Sequence, residues 1–153
     1  MEAKAEHLKL VQGAIARMGG NSFLLKTWTV TLVAALFGFA AKDADRGFLV
    51  IAWVPLLVFG LLDTYYLWQE RLFRELYRLV AAKPETEPVD FSMDIEPLKA
   101  TRHWPQSFAS ASIWGFYAPL ALLLLILTIY IALNPHAAPE PVQGPKTITI
   151  SIQ

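Results

Sequence analysis

Ala118-Pro-Leu-Ala-Leu-Leu-Leu-Leu-Ile-Leu-Thr-Ile-Tyr-Ile-Ala-Leu133 lies within a 37-residue interval, between Arg102 and Glu140, that has no Asp, Glu, Lys or Arg. A soluble domain in a chain of 153 residues has no need of so long an apolar run. A bilayer does, because its hydrocarbon core of about 30 Å takes roughly 20 helical residues to cross. Residues 112–133 therefore read as a transmembrane helix, with Pro119 in its first turns, where a lost backbone hydrogen bond costs least.

Two similar spans precede it. Residues 22–41 are apolar apart from Lys26, and residues 47–68 apart from Asp63. Each is long enough to cross, and the Lys42-Asp-Ala-Asp-Arg46 link between them allows only a tight antiparallel hairpin. The composition agrees: 55% hydrophobic, 17% charged, five Trp and nine Phe, which leaves little room for a separate soluble domain. Formal charge is zero and there is no Cys, so a disulfide framework, thiolate metal site and cysteine nucleophile are excluded. The first 20 residues lack the basic-then-apolar order of a signal peptide and are expected to stay in the mature protein.

Basic residues set the expected orientation. Ten of them (Lys4, Lys9, Arg17, Lys26, Arg71, Arg74, Arg78, Lys83, Lys99 and Arg102) fall on one side, against Lys42, Arg46 and Lys146 on the other. The positive-inside rule then predicts a cytoplasmic N-terminus, a cytoplasmic 69–111 segment and an external C-terminus. Trp28, Tyr65, Tyr66, Trp68, Trp114 and Tyr117 would mark the inner boundary.

Leu8, Val11, Ile15 and Met18 share one face of a helical period, so residues 1–20 read as a cytoplasmic amphipathic helix. It would pack on another cytoplasmic helix or lie in the membrane interface. Gly19-Gly20-Asn21-Ser22 reads as its end, with Asn21 or Ser22 capping the first span. The second span continues through Gln69–Ala82 as a rod of about 35 residues, with a Leu72, Leu76, Leu79 and Val80 stripe and i,i+4 pairs Glu70–Arg74 and Arg71–Glu75. Residues 84–104 are Pro-rich and acidic, a loop with one short helix near 95–103. Residues 134–153 form an external tail whose Lys146–Ile152 alternation is a strand pattern lacking a partner in the chain. The expected fold is thus an all-α integral membrane protein: an amphipathic N-terminal helix, three transmembrane helices, the second extended into the cytoplasm, and a short strand-like tail.

Three features are candidates for function. Lys26 lies 18 residues before the turn at residue 44 and Asp63 lies 19 after it. Both therefore sit about 27–28 Å from the turn, at equal depth. They form either an ion pair that ties or latches the hairpin, or a snorkelling lysine and a carboxylate that faces the cytoplasm. Thr27, Thr31, Ala34 and Gly38 form a small, partly hydroxylated stripe that lines a narrow path or admits a neighbouring helix. Arg71, Arg74 and Arg78 share one helix face; repeated around a symmetric homo-oligomer they would bind a polyanion or nucleotide phosphate, and in a monomer lipid headgroups or nearby glutamates.

Catalytic signals are lacking. His7, His103 and His136 are dispersed, and there is no zinc-protease helix, phosphate-binding glycine loop or nucleophile elbow, so no enzyme, metal or cofactor is expected.

Asn21-Ser-Phe-Leu-Leu-Lys26-x-Trp28, followed by Leu62-Asp63-x-Tyr65-Tyr66-Leu67-x-x-Glu70-Arg71-Leu72-Phe73-Arg74-x-Leu76-Tyr77, resembles small SLATT-type bacterial transmembrane effectors of antiphage systems over about residues 5–80. The resemblance implies a pore-forming or membrane-depolarising protein partnered by a cytoplasmic nucleotidyltransferase or nucleic-acid sensor. The third span and the strand-like tail depart from the two-span pattern of that group. The expected function is a homo-oligomeric inner-membrane pore acting in abortive infection, gated by a nucleotide or oligonucleotide. The alternative is a non-conducting scaffold that anchors a soluble partner.

Overall fold

A computed structural model describes residues 2–43 and 47–133. Helix α1 spans Glu2–Asp43, α2 Gly47–Ile51, α3 Trp53–Ala82, α4 Glu96–Lys99 and α5 Ala111–Leu133, with a 3-10 turn at Trp104–Ser107. The described residues are helical or loop, without strands. The strand-like tail pattern lies outside the described residues.

Among the described residues, three stretches are long and apolar enough to cross a membrane: within Glu2–Ala40, within Gly47–Ala82, and Ala111–Tyr130. The chain is a multi-pass helical membrane protein. Leu24, Val54, Leu57, Leu122 and Ile126 are each more than half exposed, as a lipid-facing surface requires.

The most evident departure from expectation is α1. It runs as one helix of 42 residues through Gly19-Gly20, with neither a break nor a capped second start. Glycine costs about 1 kcal/mol in a helix interior, a penalty that packing on a neighbour can override. Here α3 lies antiparallel alongside, and a Cβ at Gly19 would stand 3.8 Å from Glu70 Oε2. At the far end, Val11 and Ala14 of α1 are buried, and Val11 meets Leu76 and Val80 of α3. Leu72, Leu76 and Val80 face inward while Leu79 is half-exposed, so the inward stripe steps by four residues and leaves Leu79 outside.

The second rod is interrupted. Ala52 separates α2 from α3. Its N–H still donates to the Phe48 carbonyl at 3.0 Å, but Pro55 can donate nothing to Ile51 and its ring crowds that carbonyl. A second proline, Pro119, sits at the ninth residue of α5, beyond the first turns. Its missing N–H orphans the carbonyl of Gly115, and α5 continues across it.

Residues 83–110 fold back along α3. Trp68 Nε1 donates to the Arg102 carbonyl at 2.6 Å, and Arg102 meets Glu75 at 3.7 Å. Asp94 accepts the Glu96 N–H at 2.9 Å in the turn that leads into α4. α5 then packs on α3 through Leu56, Ile113 and Tyr117.

Candidate polar clamp and basic cleft

Asp63 is fully buried on α3, facing α1. Lys26 Nζ lies 2.5 Å from Asp63 Oδ2, and Ser22 Oγ donates to Oδ1. Lys26 also donates to Ser22 Oγ at 2.8 Å, which closes a three-membered polar cluster. Ser22 and Lys26 are one helical turn apart, so both reach the same carboxylate from a single face of α1. The lysine retains a partial opening, at 18% exposure, and lies 6.0 Å from the centroid of Phe116 on α5. Each carboxylate oxygen therefore has a donor, which is the condition for keeping a charge out of water.

Around this cluster the bundle stays polar but self-satisfied. Thr29 and Thr64 are fully buried, and their hydroxyls donate to the Leu25 and Gly60 carbonyls at 2.8 Å. Tyr117 is buried on α5 and donates to the Phe59 carbonyl at 3.3 Å, with Asp63 and Thr29 nearby. Tyr117 is thus an inter-helix strut, unlike the exposed boundary aromatics Trp28, Tyr65 and Trp114. Sequence reading missed Ser22, Thr29 and Tyr117 as members of this cluster. The Ser22–Lys26 spacing was the available signal for the first of them.

The small stripe falls elsewhere. Thr27, Thr31, Ala34 and Gly38 are exposed, on the side of α1 turned away from the other described residues. The hydroxyls of Thr27 and Thr31 donate back to the Phe23 and Thr27 carbonyls, and a Cβ at Gly38 would meet nothing within 4 Å.

The three arginines are not used as one set. Arg74 and Arg78 line a cleft of about 540 Å³ with Gln12, Ile15 and Tyr77. Arg74 meets Glu70 at 2.6 Å and Arg78 meets Glu75 at 3.4 Å, yet both stay mostly exposed. Arg71 turns toward α5, donating to Ser110 Oγ at 2.9 Å and Ser107 Oγ at 3.5 Å. The Arg71–Glu75 pair expected from spacing is replaced by Glu75 with Arg78 and Arg102, because those cations reach the carboxylate while Arg71 is held by the serines.

Where the rods end, Lys4 donates to the Ala81 and Lys83 carbonyls at 2.8 and 2.6 Å and so caps α3 from α1. His7 is buried, its Nε2 is 2.9 Å from the Ser92 carbonyl, and its ring stacks near Phe91, which holds φ at 52°. The Glu87 carboxylate beside Lys83 holds its ammonium above the ordinary lysine range. The Ser92 N–H holds the Asp90 carboxyl below the usual carboxylate range. Among the described residues there is no group of acidic or histidine side chains placed to hold a metal ion.

No protein-family model, curated protein or solved structure matches the chain.

Proposed function

We propose that the protein is a homo-oligomeric inner-membrane effector that conducts ions when released by an anionic cytoplasmic signal, with its N-terminus in the cytoplasm and its C-terminus outside. The observation that carries this reading is the exposure of Thr27, Thr31, Ala34 and Gly38 on α1. Among the described residues this low-bulk face is left exposed, so it is open to a second copy, and its hydroxyls are the polar groups a narrow path would present. Lys26, Ser22 and Asp63 tie the hairpin at its cytoplasmic end. A nucleotide or oligonucleotide phosphate would compete with Glu70 and Glu75 for Arg74 and Arg78, beside Gln12 and Tyr77. Such a ligand would act on α1 and α3 together, because the cleft is built from both. The setting in antiphage defence, and a nucleotidyltransferase or nucleic-acid-sensing partner, rest on the SLATT-type resemblance alone.

One observation favours the non-conducting scaffold. The buried ion pair is closed within one protomer, so Lys26 and Asp63 offer no charge to a path. Ion flux separates the two readings. Purified protein in liposomes should dissipate an imposed potassium gradient, and an oligonucleotide should change the rate in wild type but not in Arg74→Glu. Liposomes that remain tight with and without oligonucleotides or cyclic nucleotides would reject the pore in favour of the scaffold.

A further inference from the structure

A groove of about 380 Å³ runs between α3 and α5, floored by Gly60 and Ala121 and walled by Leu57, Leu61 and Trp114. Those three wall residues are 59%, 48% and 62% exposed, so the groove opens onto the lipid side of the bundle. Gly60 keeps it deep, since a Cβ there would stand 3.5 Å from the Tyr117 ring. Phe108 closes the end nearest the loop, between Ser107 and Ser110 in sequence.

Arg71 does not line the groove itself; it reaches that end through Ser107 and Ser110, which flank Phe108 in sequence. Among the described residues its guanidinium donates to the hydroxyls of Ser107 and Ser110 alone, and Glu75, its neighbour one turn on, is occupied by Arg78 and Arg102. Among the described residues no carboxylate neutralises Arg71. Two neutral acceptors leave the full positive charge in place, and a guanidinium has five N–H donors to satisfy. The charge sits where α5 begins at Ala111, the boundary between loop and membrane-spanning helix. An apolar trough whose Phe108 end adjoins the serines that hold an unneutralised cation has the polarity of one ligand class.

We infer that the α3–α5 groove and Arg71 form a binding site for an anionic phospholipid, with an acyl chain along Leu57, Gly60, Leu61 and Trp114 and the headgroup phosphate on Arg71 and Ser110. The buried Ser107 hydroxyl holds the guanidinium in place for that contact. The site is distinct from the Arg74–Arg78 cleft and holds for a conducting or a non-conducting protein alike.

The test is native mass spectrometry of the full chain, released from detergent after incubation with equimolar phosphatidylglycerol and phosphatidylcholine. Wild type should retain phosphatidylglycerol over phosphatidylcholine by about tenfold, the scale of one charge-assisted hydrogen-bonded contact. Arg71→Gln should abolish the preference, Arg71→Lys should keep part of it, and Arg74→Gln should leave it intact. Ala118→Phe, which fills the groove without touching the arginine, should reduce retention of both lipids. A preference unchanged in Arg71→Gln, or lost equally in Arg74→Gln, overturns the site. Photolabelling wild type with a phosphatidylglycerol carrying a reactive acyl chain covers the case of a misfolded Ala118→Phe. Label should appear on peptides containing residues 57–61 and 114–121, and label confined to α1 overturns the groove assignment.

Discussion

Asp63 is fully enclosed, with Lys26 and Ser22 on its two carboxylate oxygens. Removing one partner of such a pair typically costs about 3–5 kcal/mol, since the survivor is stranded away from water. Lys26→Met should therefore destabilise the hairpin by roughly that amount, measured by denaturant unfolding in mixed micelles. The double variant Lys26→Met/Asp63→Leu should recover most of the loss, which a latch with no structural role would not show. Ser22→Ala should cost less, about 1.5–3 kcal/mol, the range for a hydrogen bond to a charged group. The equal depth of Lys26 and Asp63 was legible by counting outward from the hairpin turn, because helical rise converts sequence distance directly into height. Ser22 was not, since a serine after two glycines and an asparagine reads equally well as a cap. Asp90 supplies a pH prediction at the same scale. Its carboxyl is held below the ordinary range by the Ser92 N–H, so the turn it stabilises is intact above the unfolded value of about 3.9 and weakens as pH falls through the lower folded value. Amide exchange at Ser92 should quicken, relative to the intrinsic rate, across that acidic window and nowhere above it.

Element boundaries were read less well than element existence. Periodicity located both rods, while Gly19-Gly20 suggested a break that α1 does not have. Turn chemistry is a local preference of about 1 kcal/mol per glycine, and a long antiparallel neighbour supplies enough contact to outweigh it. Gly20 has open space where a Cβ would go, so Gly20→Ala should raise stability by up to about 1 kcal/mol in the same unfolding assay. A hinge at this point would give the opposite result, a loss of stability or of function on stiffening. The interruption at Ala52 was also missed, although Pro55 was visible in the sequence. A proline three residues into a helix is easily absorbed there, and its effect falls on the carbonyl four residues earlier. Lys4 could not have been assigned from sequence at all. Its role as a cap on α3 depends on where two distant helix ends meet, about 80 positions apart in the chain.

At the scale of the whole molecule, the ionisable groups in the spans point inward and the small-residue stripe points outward. Lys26 and Asp63 are consumed within the hairpin, while Thr27, Thr31, Ala34 and Gly38 are left on its outer face. Lipid tails give helices no hydrophobic reason to associate, so contact between copies has to come from close backbone approach, which small residues allow. A cysteine at Thr31 should consequently form an intermolecular disulfide on oxidation in native membranes, whereas Leu122→Cys, on α5 and 58% exposed, should not. Gly38→Leu places bulk on the same face without disturbing the packing among the described residues, because none of them lies within 4 Å of the added Cβ. It should weaken association by about 1 kcal/mol or more, seen as a shift toward monomer in single-molecule photobleaching counts, with hairpin stability unchanged. Ion flux should fall in parallel if the path forms between copies. A Thr31→Cys protein that stays monomeric under oxidation would remove the assembly that the proposed conduction requires, while the buried clamp and the proposed phospholipid groove, each complete in one chain, would stand.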